Sequence, residues 1–208
     1  MQRFYRAPES PVYGGIMIRI ALLVLAFASQ AFAGLGEDFA KLKNSGSDYT
    51  VVGMVCEEVA KLRFEEEFPA SKYEVVTGIE YNDGNRTIGE LDVVVFDRVT
   101  QRAVRVSEVK CWKDLSGALA KARNQRQRFI NHLKSNLPIY FRSLRSQHQF
   151  KEANFLNVTD FAAVAQKGSK AAGFERELPY ELRELMQLRQ MMISCQNQRQ
   201  CARPQNHR

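Results

Sequence analysis

The stretch SEVKCW places Glu108 and Lys110 two residues apart, and GELD upstream places Glu90 and Asp92 at the same spacing. In an extended strand residues i and i+2 share a face, so each pair shows both charges on one side. Carboxylates and an ammonium gathered on one surface can form a solvated salt-bridge cluster. Alternatively they can hold a hard divalent cation beside a phosphate, with the lysine offsetting anionic charge. Register bears on the choice. The linker DRVTQ between the two runs is too short for a crossover, so they should pair antiparallel. Symmetry about Thr100 pairs Phe96 with Val104, Val94 with Val106, Asp92 with Glu108 and Glu90 with Lys110, so that apolar residues meet and charge collects at one end. Opposed carboxylates about 5 Å apart repel unless something positive lies between them. The long Lys110 stem can reach past them, and a cation with oxygen ligands resolves the conflict better.

These residues need elements to position them. Val52, Val55, Val59 and Leu62 recur at helical spacing between Thr50 and Glu67, ahead of Pro69. KYEVVTGIEYN, a turn at Asp83-Gly84-Asn85 and IGELDVVVF read as a hairpin, with RAVRVSEVKCW as a third strand. Asp114 to Lys134 carries one apolar stripe and reads as a helix. Gln125 falls beside that stripe and needs a partner, from the backbone or from a site. Lys121, Arg123, Arg126 and Arg128 on the same helix are candidate phosphate contacts. Trp112, on the strand face of Glu108 and Lys110, either stacks on a ligand or packs at the core rim. Residues 136–157 are expected to be helical in part, TDFAAVAQKG is a fourth strand, and Leu178 to Met192 a last helix. The order is helix, three strands, helix, strand, helix, an α/β domain with a mixed sheet flanked by helices.

The combination resembles the PD-(D/E)xK nuclease superfamily, in its branch of RecB-type nucleases and Holliday-junction resolvases. The resemblance covers residues 50–134. It rests on Gly53-x-x-Cys56-Glu57-x-x-Ala60, on Ile88-Gly89-Glu90-Leu91-Asp92, on Glu108-Val109-Lys110 and on Gln125-x-x-x-Phe129. Leu91 stands where some members have Pro, and Phe129 replaces a Tyr. The resemblance implies a restriction-endonuclease-like core and hydrolysis of DNA phosphodiester bonds, with RNA left open. It also implies Mg²⁺ or Mn²⁺ held by Asp92, Glu108 and the Val109 carbonyl. Lys110 would then orient water and offset charge, Glu57 would complete the site from the first helix with Glu58 as its alternative, and Gln125 would support it.

The rest of the chain frames that expectation. Among 208 residues, Met17-Ile18-Arg19 precedes the apolar run IALLVLAFAS and an Ala31-Phe32-Ala33 site, which reads as a signal peptide over 1–33, with Met17 an alternative start. The mature chain would be secreted or periplasmic, with a nuclease-like domain over 34–192 and a polar tail over 193–208. Of the four cysteines, Cys195 and Cys201 are close enough in sequence to expect a disulfide, while the partners of Cys56 and Cys111 stay open. Three His and no CxxC give no zinc pattern. Residues 34–97 hold 6 basic and 14 acidic side chains, whereas 98–151 hold 13 and 2, a basic segment that suggests a polyanionic partner. Two other functions fit the same features: a nuclease-like domain that binds nucleic acid without cutting, and a periplasmic structural or interaction protein.

Overall fold

The chain builds a seven-stranded mixed sheet with four α-helices among the residues described, in a computed structural model that covers 34–204 apart from 136 and 147. The signal-peptide reading and residues 205–208 of the tail lie outside that range. Residues 34–42 form α1, an element the sequence reading did not anticipate. Then follow α2 (Met54–Glu67), β1 (Tyr73–Asn82), β2 (Thr87–Asp97), β3 (Ala103–Lys110), α3 (Leu115–Leu133), β4 (Tyr140–Ser143), β5 (Gln149–Phe150), β6 (Asp160–Ala165), β7 (Arg176–Glu177) and α4 (Leu182–Asn197). The unit from Asp38 onward holds the whole sheet.

The strand order is β5-β4-β1-β2-β3-β6-β7. Pairing is antiparallel from β5 through β3 and parallel from β3 to β6 to β7. The β3–α3–β6 connection supplies the helix that a parallel crossover requires. The expected α/β order is therefore present, with one correction. Residues 136–157, expected to be partly helical, instead add β4 and β5 to the β1 edge and contain only one short 3-10 turn. The segment's helical propensity yields to pairing along β1 and to burial of Phe141 and Phe155. Two helix boundaries also move. α2 begins at Met54, because Gly53 at φ +106° breaks the chain direction, and α4 starts at Leu182 and continues past Met192.

Phe129 of α3 packs with Val94, Phe96 and Val106 on one face of the sheet. Val93 and Val95 are buried too, so the centre of β2 is covered on both sides. α2 packs on β1, β2 and β3 and contributes nothing to the Phe129 cluster, which leaves it the face of Val93 and Val95.

The expected register holds at the centre of the hairpin, where Val94 pairs with Val106, flanked by Val93 with Ser107 and Val95 with Arg105. A bulge moves Phe96 onto Ala103 instead of Val104, and the expected Asp92–Glu108 and Glu90–Lys110 pairs are absent from the ladder. A second irregularity shapes the site. Val76 and Ile79 join one core cluster, as do Leu91 and Val94, although residues three apart should face opposite ways. Between them Gly78 takes φ +66°, and the Gly78–Asp92 pair is missing from the β1–β2 ladder. Asp92 therefore occupies the point where the central strands lose their regular pleat.

Candidate active site

Asp92 uses that irregularity. Its Oδ2 accepts the Val109 N–H at 2.7 Å, so a side chain takes the place of a ladder carbonyl between β2 and β3. The same oxygen accepts from Lys110 Nζ at 2.7 Å. Lys110 Nζ also donates to Glu108 Oε2 at 3.3 Å and to the Val109 carbonyl at 3.1 Å. Asp92, Glu108 and Lys110 are only 7%, 3% and 8% exposed, so this is a buried cluster and not a solvated strand face. The sequence reading sent Lys110 past the carboxylates; the ammonium instead folds back between them. Burial explains the difference, because two desolvated carboxylates take the nearest available cation.

Glu108 and Lys110 pair with Ala163 and Ala165 of β6, and those alanines pack against Ala118, Leu119 and Ala122 of α3. Gln125 falls on α3 between Ala122 and Phe129, whose packing brackets this position, and its Oε1 is buried without a hydrogen-bond partner. Gln125 thus makes no hydrogen bond to any carboxylate of the cluster.

The first helix resolves the choice between its two glutamates. Glu58 is buried and paired with Arg145 at 2.7 Å, so it is a structural ion pair. Glu57 is half-buried, and burial followed by the nearby charges of Asp92 and Glu90 pushes its carboxyl up to about 8, with Arg145 and Lys110 opposing. Burial and then Asp92 push Glu108 well above the usual carboxylate range, against the pull of Lys110. Glu90 moves the same way, through burial and then Asp92. For Lys110, burial lowers the pKa, but Asp92 and Glu108 outweigh it and the ammonium is held charged. Negative charge is in excess around one lysine, and the glutamates respond by retaining protons.

Such a donor set suits a hard cation: two carboxylates and a main-chain carbonyl already converge on a single positive nitrogen. Among the described residues no three His, Cys, Asp or Glu side chains form a metal-ligating group. A cation at the Lys110 position would therefore complete its shell with water or phosphate oxygens, as Mg²⁺ commonly does. A cleft of about 610 Å³ has Glu57, Glu90, Arg145 and Arg203 on its walls, and Asp92, Glu108 and Lys110 do not line it.

A disulfide that the sequence left open frames the site. Cys56 bonds to Cys111. Glu57 follows one of these cysteines and Lys110 precedes the other, so the bridge ties the first helix to the end of β3. Every proposed ligand, together with Lys110, lies inside the ring it closes. The expected Cys195–Cys201 bridge is also formed. Arg145, which binds Glu58 and donates to Ser47 and to Met54 Sδ, was not singled out from sequence. Only its place in the basic segment could have marked it.

The proposed nucleic-acid contacts divide. Arg126 is paired with Glu175 at 2.9 Å, and Arg128 donates to the Ile88 carbonyl at 3.2 Å. Lys121 and Arg123 are exposed. Trp112 lies beyond the end of β3, so strand alternation does not assign its face; it is 39% exposed, with Lys121 Nζ 4.7 Å from its ring centre.

Comparison with protein-family models, curated proteins and solved structures finds no match for this chain. The architecture is a mixed α/β sheet flanked by helices, and two disulfides are compatible with a secreted or periplasmic protein. No helix among the described residues is long and apolar enough to cross a membrane.

Proposed function

We propose that the chain is a secreted or periplasmic, Mg²⁺- or Mn²⁺-dependent nuclease with a restriction-endonuclease-like core, which hydrolyses DNA phosphodiester bonds. One observation carries the reading: Asp92, Glu108 and the Val109 carbonyl converge on the Lys110 ammonium. When bound there, a divalent cation supplies Lewis acidity toward a phosphate and water activation. Asp92, Glu108 and Val109 would hold it. With a cation held there, Lys110 would offset charge that develops on the phosphoryl oxygens. Glu57 borders the cleft on the Asp92 side, where its carboxyl can bind and orient water. Gln125 offers an unpaired amide oxygen on the α3 side.

The same cluster favours a second reading. Lys110 already satisfies both carboxylates, as a purely structural buried ion network would, and the protein would then be a periplasmic structural or binding protein. Plasmid cleavage by the purified mature chain with Mg²⁺, abolished by chelator and by Asp92→Ala, supports the nuclease. A chain that neither cuts DNA nor binds Mg²⁺ or Mn²⁺ calorimetrically leaves the structural network.

A further inference from the structure

Trp112 is the only tryptophan in the chain and leaves 39% of its surface exposed. An aromatic ring held partly exposed on a rigid segment can offer an apolar face to a ligand. The segment is fixed from three directions. Lys110 is held by the carboxylate cluster, Cys111 is bonded to Cys56, and the Trp112 carbonyl accepts from Gln166 Nε2 at 2.6 Å. Lys121 from α3 lies over one face of the ring, its ammonium 4.7 Å from the ring centre, which leaves the opposite face for a base. An exposed indole with an adjacent cation, two residues beyond Lys110, combines the two groups by which proteins bind unpaired nucleotides: an aromatic face for the base and a positive charge for its phosphate.

We infer that Trp112 and Lys121 form a stacking platform for one unpaired nucleotide beside the scissile phosphate, so that the substrate is single-stranded nucleic acid or a frayed end. A base within an intact duplex is stacked on its neighbours and cannot offer a face to the indole, which makes Trp112 a specificity-determining residue. The inference rests on the nuclease reading for the chemistry of the ligand.

Because Trp112 is the sole tryptophan, its fluorescence reports the contact directly. Oligothymidylate and a hairpin duplex of equal length are titrated into the mature protein in chelator, where no cleavage can occur. Saturable quenching by the single strand, absent with the duplex, is expected. By anisotropy of labelled oligonucleotides, Trp112→Leu should weaken single-strand binding about tenfold, within the range for losing one base–aromatic stack. Duplex binding should stay within about twofold, and Trp112→Phe should recover most of the loss. Lys121→Gln should weaken single-strand binding without abolishing the quenching. Equal quenching by duplex, no quenching, or unchanged affinity in Trp112→Leu overturns the platform. Cleavage with Mg²⁺ is scored separately. Quenching without cleavage keeps the platform and removes the nuclease, whereas cleavage without quenching does the reverse.

Discussion

Lys110 serves two masters at the scale of single residues, since the carboxylates that would bind a cation already hold its ammonium. A metal must compete with it, which gives a result that an ordinary buried ion pair would not. Lys110→Ala should bind Mg²⁺ or Mn²⁺ more tightly in calorimetry while cleavage falls on the order of 10²-fold, the scale of losing one transition-state electrostatic contact. Asp92→Ala should lose both. If Lys110→Ala cuts at the wild-type rate, the lysine has no part in the chemistry. The glutamates predict a pH dependence. Glu57, pushed up to about 8, keeps its proton in the folded state at pH values where the unfolded chain has lost it. Glu90 and Glu108 are shifted in the same direction. At these groups folding binds protons, so their contribution to stability is full below the usual carboxylate range and is lost as pH rises toward about 8. Without divalent metal, Tm should drop between pH 5 and 8, Glu57→Gln should flatten the drop, and Mg²⁺ should raise Tm at pH 8. A flat profile in chelator would show that the glutamates ionise freely in the folded protein.

Among the elements, a glycine and a disulfide hold the two sides of the site. Gly78 lets β1 break its pleat opposite Asp92; an added Cβ would find Glu90 Oε1 at 3.4 Å, so the cost of a side chain there is mainly that of φ +66°. Gly78→Ala should therefore destabilise by about 1–2 kcal/mol, the left-handed penalty for a residue with a Cβ. The loop closed by Cys56–Cys111, with its sequence separation of 55, stabilises by about 4 kcal/mol in the chain-entropy account. In the Cys56→Ser/Cys111→Ser variant, denaturant unfolding should show a loss of that order. Cleavage, measured where the variant is still folded, should fall as well, because a displacement near 1 Å in a reacting site can cost on the order of 10²-fold. Full activity there would mean that α2 and β3 hold Glu57 and Lys110 in place unaided. Much of this frame was legible in the sequence: the centre of the hairpin register from its apolar Val94–Val106 pair, and α3 from its apolar stripe. The Gly78 break was not, since a glycine in a strand marks an irregularity without saying which neighbour it redirects. Nor were β4 and β5, whose pairing depends on an edge far away in sequence.

Across the whole molecule part of the uneven charge of the chain is internal complementarity. Arg98 pairs with Glu74, Arg105 with Glu67, Lys110 with Asp92, Arg142 with Glu80 and Arg145 with Glu58, each joining the basic segment to the acidic one before it. A sequence shows the two blocks but not their contact, and for that reason the basic segment reads there as a surface for a polyanion. What is left for such a partner on α3 is Lys121, Arg123 and Arg128, all exposed, with Arg126 already spent on Glu175. This changes the expected salt dependence. Each phosphate neutralised contributes about 0.7 to the slope of log affinity against log salt for a single strand and about 0.9 for a duplex. Arg123→Gln should lower the slope by about that amount. Arg126→Gln should change it much less, since the arginine it removes was compensated within the fold. If both substitutions flatten the slope equally, the Arg126–Glu175 pair opens on binding and α3 offers its whole basic face to the nucleic acid. If neither does, the strand runs along the cleft walled by Arg145 and Arg203 and leaves α3 uncovered.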